Sequence, residues 1–79
     1  PEEGRYYIAA LLGCRIVTQQ GETLGTLTDV RQAATDIYTV DMDGKEVLFP
    51  AADGVITAVD VEAGTITVDK KRFYEVAVL

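Results

Sequence analysis

"IYTVDMDGKEVLFP" occupies residues 37–50, and its reading decides the fold. The run 37–42 is rich in β-branched and aromatic residues and predicts a strand. Asp43-Gly44 follows, a pair suited to the two positive-φ positions of a tight hairpin turn. "KEVLF" (45–49) predicts the returning strand. Pro50 ends it, because proline has no N–H to give to a ladder.

Working outward, the same grammar recurs on both sides. "CRIVTQQ" (14–20) reads as the first strand and "TLGTLTDV" (23–30) as the second. Gly21-Glu22 is the turn that makes them a hairpin. Gly25, inside the second strand, marks a bulge or a close backbone approach. "QAATD" (32–36) is a connection. "VITAVDV" (55–61) alternates, which places Val55, Thr57, Val59 and Val61 on one face. "EAG" (62–64) turns the chain into "TITV" (65–68), with Ile66 and Val68 inward. "YYIAALL" (6–12) could form one short helical turn, stopped by Gly13. The tail, 70–79, also alternates within "RFYEVAVL". It is expected to add a strand or to pack against another domain.

Six short strands at about ten-residue spacing predict an all-β domain, a small antiparallel barrel over residues 1–79. Closure is favoured because an open sheet would leave two edges and an uncovered apolar face. Ile16, Leu27, Val40, Leu48, Val59, Ile66 and Val68 are the expected core. The chain begins Pro1-Glu2-Glu3 without Met and is read as a piece of a longer protein, or a processed one.

Composition narrows the function. The 79 residues are 48% hydrophobic and 25% charged, ordinary for a globular domain. There is no His, Ser, Asn or Trp. Serine nucleophiles, His bases and His metal ligands are thereby removed. A single Cys14 can form neither an internal disulfide nor a cysteine zinc site, and it fits a reducing compartment. No apolar run approaches the roughly 18 residues that read as a membrane span. The formal net charge of −6 repels a phosphate backbone and attracts a basic protein. No cofactor and no metal is expected, and the domain reads as non-enzymatic.

The candidate sites have plain alternatives. Asp41 and Asp43 in "DMDG" superficially suggest a calcium loop, but the glycine is misplaced and Ala52 stands where the closing Glu belongs. The hairpin turn is the better reading. Asp29, Asp36, Asp53, Asp60 and Asp69 sit mostly at strand ends, where Asp makes local hydrogen bonds. Cys14 alternates with Ile16 and reads as a small core residue, because Arg15 points the other way. Lys70-Lys71-Arg72 reads as a solvated strand exit, although Phe73 and Tyr74 follow it. Tyr6 and Tyr7 are the stronger lead. Adjacent residues do not share a face, so one can serve the core while the other meets a partner.

The ordered set "YYIAALLGCRIVTQQGETLGTLTDV", "TDIYTV", "GKEVLFPA" and "ITAVDVEAGTITVD" resembles the PRC-barrel domain, specifically the C-terminal domain of the RimM ribosome maturation factors. The resemblance covers about residues 5 to 69. It departs at Ile8-Ala9-Ala10, where the family usually has Trp-x-Asp, and within Gln32-Ala33-Ala34, where a glycine is usual. It implies a cytoplasmic assembly factor for the small (30S) ribosomal subunit, active in head assembly and 16S rRNA processing. The implied partner is the nineteenth protein of that subunit, with Tyr6 and Tyr7 implicated in docking on it. No tight RNA binding by this domain and no membrane association are expected. The alternative is a structural PRC-barrel of another kind, similar to the photosynthetic reaction-centre H subunit or to stand-alone barrels.

Overall fold

The computed structural model describes residues 7–79. Its elements follow in the order α1 (Ile8–Leu11), β1 (Arg15–Thr18), β2 (Thr23–Arg31), β3 (Ile37–Met42), β4 (Lys45–Pro50), β5 (Ile56–Asp60), β6 (Thr65–Val68) and α2 (Lys70–Val76). The hairpin of β3 and β4 runs in unbroken register from Ile37 opposite Pro50 to Met42 opposite Lys45. Its turn takes Asp43 at φ 56° and Gly44 at φ 87°, the two positive values such a connection requires. β1 and β2 also form a hairpin, and β5 with β6 another.

The class is all-β, but two features of the expected barrel are corrected. The six strands form one sheet in the order β4-β3-β2-β1-β6-β5, so β4 and β5 are its two edges and do not pair with each other. β1 and β6 pair in parallel, from Arg15 opposite Thr65 to Thr18 opposite Val68. The physical cause is the connection 51–55. It is not a hairpin, and it carries the β5–β6 pair round to the free side of β1.

A helix covers what strand closure would have covered. Residues 70–76 are α2, where an alternating tail suggests a strand. Asp69 is its N-cap, with Oδ1 accepting the Arg72 N–H at 2.8 Å. Phe73 is the buried anchor, with Val76 and Ala77 packed against the core one turn on. Asp69 donates its N–H to the Val55 carbonyl at the head of β5. At the other end Val78 exchanges both backbone bonds with Leu48 of β4. The helix therefore lies between the two sheet edges.

The inward faces make one core. Of the expected core residues, Ile16, Leu27, Val40, Ile66 and Val68 are at most 1% exposed. Leu48 and Val59 are only half-buried. In β4 the inward residues are Val47 and Phe49, so Leu48 lies on the outer side. In β5 a register shift between Ile56 and Ala58 breaks the alternation. Val55 is buried, Thr57 is exposed and Val61 is exposed, so the four residues expected on one face do not share it. Cys14 is buried, and its thiol lies 3.7 Å from the Ala10 carbonyl.

Candidate functional site: an acidic groove beside an exposed tyrosine

The first described residue is Tyr7, the N-cap of α1. The helix is a single turn. Leu12 donates to the Ile8 carbonyl, Ala10 donates to Tyr7, and Gly13 at φ 87° turns the chain into β1. One side of this turn faces inward: Leu11 is buried and Ile8 packs on the core. Tyr7 is 66% exposed. Tyr6 lies outside the described residues. Tyr7 thus stands at the start of a turn fixed by the burial of Leu11 and the packing of Ile8.

Beside it is a groove of about 830 Å³. Ile8 and Leu11 form one wall, the β2–β3 connection another, and residues 51–53 a third. Ala51 donates to the Asp36 carbonyl at 2.8 Å and so ties the two connections together. The Ala33 N–H bonds Oδ1 of Asp36 at 3.1 Å, folding the connection 32–36 on itself. Tyr38 lines the groove from β3, its ring 5.4 Å from that of Phe49. Burial, and secondarily the Asp36 carboxylate, raises the Tyr38 phenol above its ordinary value.

The other aspartates mostly work locally. Asp41 Oδ1 accepts from Gly44 and Asp60 Oδ1 from Ala63, each closing a turn. Asp41 and Asp43 thus belong to the hairpin turn. The basic run is corrected from a strand exit to the first turn of α2. Lys70 Nζ meets Glu22 Oε1 at 2.9 Å, and Arg72 meets Glu75 at 3.6 Å. The Glu22 hydrogen bond and charge raise the exposed Lys70 ammonium. Three acids, Glu22, Asp69 and Glu75, thus stand among the three cations of this corner. Tyr74 is exposed beside them, edge-on to Phe73 at 5.1 Å.

The groove was not legible in the sequence. Its walls come from connections far apart in the chain; in the sequence Asp36 and Asp53 read as solvated aspartates, and Ile8 and Gln32-Ala33-Ala34 only as departures from the family pattern. Phe73 was missed too. The signal existed: Asp69 followed by Phe73, Val76 and Ala77 is a cap before a helical stripe.

The family model described as the RimM PRC barrel domain matches residues 8–74. The chain belongs to the RimM PRC barrel family. The match takes in α1, all six strands and Phe73, and begins one residue after Tyr7. Among curated relatives, the ribosome maturation factor RimM of Caldanaerobacter subterraneus is 44% identical over 68 residues, 85% of this chain and 40% of that protein. RimM of Clostridium botulinum is 38% identical over 75 residues, 92% of this chain and 44% of that protein. A crystal structure from Pseudomonas aeruginosa, described as a 16S ribosomal RNA processing protein RimM, superposes with a TM-score of 0.71 at 26% identity. The superposition covers 87% of this chain and 47% of that one. The chain spans about two-fifths of the length of the curated relatives it matches.

Proposed function

We propose that this domain is a protein-docking module of a RimM-type factor, acting in the cytoplasm on the maturing small ribosomal subunit. Its role is binding rather than catalysis. The partner is the nineteenth protein of the subunit, a member of its head, and the docking face includes Tyr6 and Tyr7. Membership of the RimM PRC barrel family supports the assembly role. The relatives are ribosome maturation factors by name. One observation supports the site: Tyr7 is two-thirds exposed on a helical turn anchored by Leu11 and Ile8. A large ring held outward loses little entropy on binding, which suits an interface anchor.

The test uses the full-length protein with Tyr6→Ala and Tyr7→Ala as separate variants. Each is assayed for melting and for capture of assembling small subunits. A hot-spot tyrosine is worth about 2 kcal/mol, or roughly thirtyfold in affinity. Tyr7→Ala is expected to lose binding at an unchanged melting temperature, because its ring is mostly in solvent. Full binding by both variants would remove the tyrosines from the docking face. Binding that falls only in step with melting would make them structural.

A further inference from the structure

The groove beside Tyr7 has a definite electrostatic character. Asp36 and Asp53 line it from two different connections, and among the described residues no Lys or Arg lines it. Asp36 is half-buried, and its carboxylate is held by the Ala33 N–H at 3.1 Å. It is therefore a positioned charge, not a freely swinging one. Four alanines, at 33, 34, 51 and 52, also line the groove and keep its walls low. Small side chains leave space for another backbone to enter. A volume of about 830 Å³ lies within the range of ligand-binding clefts.

We propose that this groove receives an extended segment of a basic protein, with its lysine or arginine side chains meeting Asp36 and Asp53. The proposal rests on the docking reading and assigns the chemistry of the docked segment. Charge complementarity selects the occupant. The same two carboxylates repel an RNA backbone, so a nucleic acid is the disfavoured occupant. Tyr7 immediately precedes Ile8, which lines the groove.

The test is the full-length double variant Asp36→Asn/Asp53→Asn, assayed for capture of assembling small subunits across a salt series. Asparagine keeps the acceptor that Ala33 uses, so melting is expected to be unchanged. Affinity is expected to fall about threefold to tenfold at low salt, with the difference shrinking as salt rises. A remote pair, Asp43→Asn/Glu62→Gln, removes the same charge outside the groove and is expected to bind as the parent does. An equal loss in the remote pair would overturn the proposal, because the bulk field would then explain it. A gain in binding by Asp36→Asn/Asp53→Asn would overturn it in favour of RNA in the groove. Loss of binding in Tyr7→Ala with none in the groove pair would overturn the groove and leave the docking reading standing. Unchanged binding in both would overturn the two together. If the double variant melts early, Asp53→Asn alone carries the comparison, since Asp53 is exposed.

Discussion

At the scale of single residues, Gly25 and Tyr38 show two kinds of constraint. A glycine within a strand was readable as a close approach, and the approach is real. A Cβ at Gly25 would lie 2.4 Å from the Asp41 carbonyl oxygen and 2.7 Å from a Val40 methyl. The backbone of β3 would have to move away from β2. Gly25→Ala is expected to cost about 1–3 kcal/mol, checked by denaturant unfolding. Tyr38 constrains the alkaline side. Its phenol is raised above 10, chiefly by burial. A group whose folded value is raised contributes stability that is complete below its unfolded value and is lost as pH rises through the folded one. Stability is therefore expected to fall above about pH 10. Lys70 is raised as well and acts in the same direction. The two are separable: high salt screens the exposed Lys70–Glu22 pair, whereas Tyr38→Phe removes the buried phenol. Melting profiles against pH in high salt should flatten for Tyr38→Phe only. What the sequence could not supply is the groove-side setting of Tyr38, which depends on connections that meet only after folding.

At the scale of elements, local chemistry was legible and pairing between distant segments was not. The turn residues Asp43-Gly44 and Gly21 located two hairpins because positive φ is a property of one or two residues. The β1–β6 parallel pair could not be read, since nothing near β1 announces which later strand will lie beside it. The helix α2 departs from the expected tail for a different reason. Over eight residues a period of two and a period of 3.6 can both find apolar matches, and the cap at Asp69 decides between them. This element matters energetically. Phe73 is fully buried and meets Phe49 at a ring distance of 5.0 Å. Phe73→Ala is expected to cost about 3–5 kcal/mol. Domains in general hold only about 5–15 kcal/mol in total, and one this small sits at the low end. Asp69→Ala loses a single cap and should cost about 0.5–2 kcal/mol. Thermal melts that rank these two variants the other way would mean that the cap, not the ring, holds the sheet ends together.

At the scale of the whole molecule, charge sets what the surface can accept. The net charge of −6 is spread over turns and strand ends, and the one basic run does not escape it. Lys70 is paired with Glu22, and Arg72 lies near Glu75. The run could make at most about three phosphate contacts, and Glu22 and Glu75 oppose two of them. Every neutralised phosphate contributes close to one unit to the slope of log affinity against log salt, so at most about three is available here. This chain is therefore expected to bind single-stranded or duplex RNA weakly, with a shallow salt slope and little preference for sequence. The exposed Tyr74 offers one stacking face, which is too few for a strand-tracking groove. The measurement is a filter-binding or anisotropy titration of the chain against small-subunit RNA at several salt concentrations. Tight binding with a steep slope would reverse the assignment of faces: the corner of Lys70, Lys71, Arg72 and Tyr74 would become the ribosome-facing surface. Glu22→Gln sharpens the comparison, because it frees Lys70 without touching the core. If that substitution raises RNA affinity only a few-fold while capture of small subunits is unchanged, the corner is peripheral, and recognition belongs to the opposite chemistry around Tyr7.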